Sequence, residues 1–292
     1  MRHVVGCLSL MVLPALAPAQ GAIPPGYDAV ADRLGVAAVP TGGYVRFNLP
    51  RRDLTVMVSD VRIAPGLALT GWLGFDGPPS DAVLMGDLVV TSAEIGAVER
   101  ALIEGGLTIT AVHNHLSGES PGISYVHVHG HGDAMTLART LDQALSRTGL
   151  PRPVAPPGDA SLTADTALFF DAMGARGRAS ANVANLSLML IPGAVTLAGM
   201  PLRASLALAS PVNMQWVSRT RAVTTGDFTV SEPQLGALVR ALITGGITVT
   251  ALHSHLTTES PRVMYVHFWG DGDPAQLAAT LRKATDAARA AH

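Results

Sequence analysis

Cysteine is all but missing from this chain: Cys7 is the single example in 292 residues. It lies within an N-terminal apolar run, so a disulfide framework is excluded. Any metal must then be held by nitrogen and oxygen rather than thiolate. Lysine is as rare, with Lys283 alone, and aromatic residues make up only 4% of the sequence. Lys and Arg number 20 against 22 Asp and Glu, a formal net charge of −2, and they form no basic stripe. A nucleic-acid partner is therefore not expected, and neither an acidic nor a polybasic tail is present. What is left is globular material, 48% hydrophobic, long enough for two domains with a core each.

Residues 1–19 read as an export signal. Arg2 and His3 form a short positive region, Val4 to Leu16 an apolar run, and Ala17-Pro18-Ala19 a small-x-small cleavage site. The run is too short to span a bilayer and contains Pro14. The expected location is the periplasm or cell envelope, or the medium, with no stable membrane insertion after cleavage. Cys7 would leave with the signal, and the mature chain would hold no cysteine.

The chain repeats itself. Gly86 to Ala144 aligns without a gap to Gly226 to Ala284, and about half of the positions are identical. A repeat this long means two duplicated domains rather than a solenoid. The expected organisation is a first repeat over 20–150, a Pro-rich linker over 151–160 and a second repeat over 161–292.

Each half carries the same elements. Tyr27 to Leu34 and Ala164 to Met173 read as short helices. Tyr44 to Leu49 alternates as a strand, and Leu54 to Ile63 reads as a hairpin turning at Ser59-Asp60. After a strand over Ala82 to Val90, a helix begins at the capping box Thr91-x-x-Glu94, mirrored by Ser231-x-x-Gln234 with Pro233 in the first turn. Gly105-Gly106 and Gly245-Gly246 stop it. Leu107 to His115 and Ile123 to His129 are strands, and Asp133 and Asp273 cap the closing helices. The predicted class is α+β: two antiparallel sheets with helices on one face, packed about a pseudo-two-fold.

Histidine is where the chemistry concentrates. Outside Val112 to Asp133 and Leu252 to Asp273, the only histidines are His3 and His292. Each window holds His-x-His, a Glu four residues on and a further His eight residues after that. The sets are His113, His115, Glu119 and His127, then His253, His255, Glu259 and His267. Alternation on a strand sends His113 and His115 to one side. A hairpin centred near Ser120 would put His113 opposite His127. Imidazoles and a carboxylate gathered there suit Zn, Mn, Fe, Ni or Cu. Glu119 and Glu259 are the candidate general acids or bases. Asp87 and Asp227 read as structural hydrogen-bonding groups, and His129 and His131, replaced by Trp269 and Asp271, as peripheral.

The His-x-His-x-x-x-Glu pattern with a later His resembles the metal set of cupins. Capped helices around the hairpin leave no room for a jelly roll, so only the ligand chemistry is similar. A wider likeness lies in Gly42 to Leu54, Thr250 to Arg262 and Tyr265 to Gly270, which resemble the LppY/LpqO family of bacterial exported proteins. That resemblance implies an envelope or secreted location and a duplicated domain of unknown function. Some of its members are lipoproteins, but this chain has no cysteine at the cleavage site.

Three readings stay open. One is a metal-dependent enzyme, hydrolytic in kind, acting on an unidentified small substrate. Another is a non-catalytic envelope protein that binds metal or ligand. The third makes the His/Glu sets hydrogen-bonded clasps without metal. One shared site and two separate ones are equally compatible with the repeat, and the oligomeric state is open.

Overall fold

The computed structural model describes residues 23–155 and 165–291. The export signal and residues 156–160 of the linker lie outside the described residues. The first half runs α1 (Tyr27–Leu34), β1 (Ala38–Thr41), β2 (Tyr44–Pro50), β3 (Met57–Val58), β4 (Val61–Arg62), α2 (Pro65–Ala68), β5 (Thr70–Asp76) and β6 (Ala82–Thr91). It continues with α3 (Ile95–Glu104), β7 (Thr108–His113), β8 (Glu119–Ser120), β9 (Ile123–Gly132) and α4 (Ala134–Leu145). The second half repeats the order. It opens with α5 (Thr166–Met173), β10 (Gly177–Ser180), β11 (Val183–Met189), β12 (Thr196–Leu197), β13 (Met200–Pro201), α6 (Ala204–Ala207), β14 (Ala209–Trp216) and β15 (Ala222–Ser231). It closes with α7 (Glu232–Thr244), β16 (Thr248–His253), β17 (Glu259–Ser260), β18 (Val263–Gly272) and α8 (Pro274–Ala290).

The main sheets have strand orders β1-β2-β5-β6-β9-β7 and β10-β11-β14-β15-β18-β16, antiparallel throughout. The predicted α+β duplication is what the chain adopts. Strand period decides the layers: Val45, Phe47, Leu73, Phe75, Leu84, Leu88, Val126 and Val128 join one core with residues of α1, α3 and α4. Each such fully buried side chain contributes about 1.5–3 kcal/mol. The chain leaves β6 through α3 and enters β7, and β9 then threads between those two strands. Gly106, at φ 81, makes the turn from α3 towards β7.

One boundary differs from expectation. Thr91 to Glu94 forms a turn, and α3 starts at Ile95. Glu94 does accept the Thr91 N–H at 2.9 Å, but it also binds the buried Arg51 and the Gly149 N–H. Gln234 has no arginine partner, and there the full capping box forms and α7 begins at Glu232.

The remaining faces of the two sheets look at each other. The segment between β2 and β5 crosses onto the other half's sheet, where Asn185 Nδ2 donates to Gly66 O and Asn213 Nδ2 to Leu67 O, each at 2.8 Å. Gln215, buried, accepts from Ala64 N–H and donates to Arg62 O, both at 2.8 Å. Reciprocally, α6 lies on the first sheet. Arg203 pairs with Asp76 at 2.9 Å, and Leu206 sits where a Cβ on Gly74 would be, 2.4 Å from its Cδ1. Two smaller cores therefore mix the halves, one joining Val56, Leu67 and Val89 to Val183 and Val223, the other joining Tyr44 and Met85 to Leu206 and Tyr265. Among the described residues no helix is long and apolar enough to cross a membrane.

Gln215→Ala leaves the Ala64 N–H and the Arg62 carbonyl of the crossing segment, both in part-buried hydrogen bonds, without their partner. Folding stability should fall by about 2–4 kcal/mol, measured by urea denaturation. A loss within ~0.5 kcal/mol, the size of a surface change, would show that water replaces the side chain and that the crossing is loosely held.

Candidate metal centre between the two halves

The histidines stand on the facing sides of the two sheets. His127, in β9, is flanked by Asp87 of β6 and Ala111 of β7. His267 is flanked in the same way by Asp227 and Ala251. His113 and His253 end β7 and β16, and His115 and His255 follow two residues on.

The expected pairing of His113 with His127 is corrected. His113 lies opposite Tyr125, with a bulge between Ile109 and Ala111. The connection is not a simple hairpin, because β8 leaves it to pair with β3, Glu119 opposite Val58. A slip of two residues preserves the face, so His113 and His127 still point to the same side.

The rings interleave across the pseudo-two-fold. His113 stacks on His253 with centroids 4.3 Å apart. The second His of each His-x-His reaches the other half's strand, His115 to His267 at 3.8 Å and His255 to His127 at 4.4 Å. Tyr125 covers His115 and Tyr265 covers His255, each at 3.9 Å, with their hydroxyls donating to Ala68 O and Ala207 O. Ligand atoms of His113, His253, His255 and His267 all lie within 4.8 Å of one another. Those of Asp87, His113 and His115 form a second such set. Candidate metal ligands from both halves thus meet in one place.

Glu119 and Glu259 do not join either set. Glu119 accepts the Ile123 N–H at 3.3 Å and orders its own loop. Glu259 is buried, with Ser254 Oγ at 3.4 Å and Arg262 Nη1 at 3.6 Å. Asp87 takes the carboxylate position instead. The signal in the sequence was the Gly-Asp pair at 86–87 and 226–227, a charge placed mid-strand among apolar residues. His129 and His131 stay outside, His131 pairing with Asp81 at 3.1 Å.

Burial dominates the electrostatics. It pushes His127 down to about 4 and His253 down to about 3, the latter helped by His113 and His115. His115, His255 and His267 are likewise held below the ordinary imidazole value, first by desolvation. These rings are neutral at pH 7 and can present lone pairs. Burial opposes ionisation of Asp87, but His113 and His115 outweigh it and hold its carboxyl well below the usual range. Asp227 goes the other way, raised by burial and then by the charge of Asp87.

Orphaned atoms mark the centre. Both ring nitrogens of His113 and of His253 are buried without a hydrogen-bond partner, as are Nε2 of His115, His255 and His267 and Oδ1 of Asp87. His267 Nδ1 faces the Gly226 carbonyl at 3.2 Å. A carbonyl only accepts, so Nδ1 carries the proton and Nε2 the lone pair. That is how a metal-binding imidazole is oriented from behind.

The family model described as Domain of Unknown Function (DUF1259) matches residues 28–147 and 168–287, once in each half. Curated proteins give no match. Among solved structures, a trimeric bacterial microcompartment shell protein PduB is similar at 12% identity over 86% of this chain and 89% of that one, TM-score 0.22. EtuB from Clostridium kluyveri is similar at 13% identity over 88% and 91%, TM-score 0.23. Overlays that loose carry no argument about this chain.

With lowered imidazole values in the folded state, the unfolded chain binds more protons below about pH 6.5. Stability of metal-free protein should therefore fall as pH drops from about 6.5 towards about 4, the value for His127. Asp227 opposes this, one group against the six lowered imidazoles, His129 included. Calorimetry in chelator should show the melting temperature decreasing through that window; a flat or rising trend would contradict burial of neutral rings.

Proposed function

The chain belongs to the family of the Domain of Unknown Function (DUF1259), and from that premise we propose that its two copies together hold a transition-metal ion. The observation that carries this is His267: an imidazole with its proton directed to a backbone carbonyl and its buried lone pair set among His113, His253 and His255. Four imidazoles suit Zn(II), Cu(II), Ni(II) or Fe(II) better than Mg(II) or Ca(II), which prefer oxygen. A hydrogen-bonded clasp is the weaker reading. It would satisfy the ring nitrogens within the protein, and most of them have no partner.

The finer reading is an exported, envelope or secreted metal protein of LppY/LpqO type. It is supported by the Arg2–Ala19 signal pattern and by the phrases at Gly42 to Leu54, Thr250 to Arg262 and Tyr265 to Gly270. A hydrolytic role would need an open coordination position. Glu119 and Glu259, the carboxylates first considered for proton transfer, lie outside the ligand sets, so binding rather than turnover is the function proposed.

Elemental analysis of protein purified without a His tag, before and after reconstitution, tests this. At least one equivalent of a transition metal per chain is expected. His267→Gln should weaken binding by at least about 100-fold, beyond the ~10–100-fold typical of groups behind the ligands. Retention of less than about a tenth of an equivalent after reconstitution would rule the proposal out.

A further inference from the structure

We infer that the centre takes two transition-metal ions side by side, the second held by Asp87, His115 and a share of His113. The inference rests on the reading above and extends it. Asp87 Oδ1 lies 3.6 Å from His113 Nε2, and Asp87 Oδ2 lies 3.6 Å from His115 Nε2. That separation is too long for a hydrogen bond. It is close to the spacing of two ligands on one ion: donors about 2.0–2.1 Å from a tetrahedral centre stand roughly 3.3–3.4 Å apart. All three residues present buried atoms without partners. A carboxylate drawn between two imidazoles, yet bonded to neither, is arranged around something that fits between them.

His113 belongs to both ligand sets. Its Nε2 faces Asp87, which leaves Nδ1, also buried and unpartnered, on the other edge of the ring. One imidazole can serve two ions through its two nitrogens, releasing its single N–H proton to solvent as the second ion binds. The two positions are chemically unequal. Four imidazoles make a filled tetrahedral shell, whereas one carboxylate and two imidazoles leave room for water or a small anion. The latter is the donor pattern of non-haem Fe(II) and of catalytic Zn(II) sites. The pseudo-symmetric mate of this set, Asp227 with His253 and His255, is not drawn together among the described residues. Asp227 Oδ1 has His267 Nδ1 at 3.8 Å instead. The duplication therefore yields two positions, not a symmetric series.

The experiment is a metal count on the full chain, stripped and reloaded separately with Zn(II), Co(II) and Cu(II). About two equivalents are expected in wild type and about one in Asp87→Asn, with melting curves confirming that the variant is folded. His115→Gln provides the same comparison should Asp87→Asn misfold. With Cu(II), two ions sharing one imidazole are spin-coupled, so the paramagnetic resonance signal should integrate to fewer spins than ions. Uptake of a single ion by wild type overturns the second position and leaves the metal-binding function standing. Uptake of none overturns both. Two ions retained in both variants, or a Cu(II) signal with one full spin per ion, overturns the assignment to Asp87 and the sharing of His113.

Discussion

Imidazole nitrogens sealed between two sheets without hydrogen-bond partners are the constraint on which this molecule turns. Each buried polar atom left unmatched costs about 1–3 kcal/mol, and His113, His115, His253, His255 and His267 present such atoms together. A cost of that size is large against net stabilities of about 5–15 kcal/mol. The surroundings serve this arrangement. Tyr125 and Tyr265 cap the outer rings, and burial keeps His127 and His253 uncharged at neutral pH. The reciprocal crossings of α2 and α6 hold the sheets face to face. The proposed metal ion would convert those lone pairs from a liability into bonds.

Duplication explains how imidazoles of both halves come together, four of them in one set and His127 in neither set. A single copy presents His113 and His127 on one sheet face and extends His115 beyond it, towards empty space. Docking a second copy brings His267 under His115 and His127 under His255. The copies then differ in use. Thr110 bonds His127 Nδ1 at 2.7 Å, whereas its counterpart Thr250 donates to the His115 carbonyl at 2.8 Å. His113 and His115 hold the Asp87 carboxyl well below the usual range against burial, while burial and the charge of Asp87 push Asp227 well above it. Two carboxyls in one low-dielectric space cannot both ionise cheaply, so asymmetry follows from proximity. The sequence had already diverged nearby, at His129 and His131 against Trp269 and Asp271.

Local rules made most of the fold legible. Strand alternation in Tyr44 to Leu49, the capping signals at Asp133, Asp273 and Ser231, and the glycine pairs at 105–106 and 245–246 each act over a few residues, and the structure follows them. Confinement of histidine to two windows pointed to side chains that the fold gathers between the sheets. Long-range pairing was the hidden part. Glu119 is near the histidines in sequence, but β8 carries it off to β3. Asp87 is far away in sequence, but β9 inserts beside β6 and places it against His127. Which carboxylate reaches the imidazoles is decided by strand order, and strand order is a property of the sheet rather than of any window of residues.

The same geometry links the proposed metal to the union of the halves. His113 comes from one half and His253, His255 and His267 from the other, so the four-imidazole set exists only when the two are docked. An ion that binds the docked form alone stabilises it by RT ln(1 + [L]/Kd), about 4 kcal/mol at a thousandfold excess over Kd. The rest of the contact combines two shared apolar cores with polar contacts: amide side chains to backbone carbonyls, and Arg221 clamped between Asp60 and Asp271. Such polar contacts fix orientation more than they add strength. The proposed ion would add strength where these contacts add alignment.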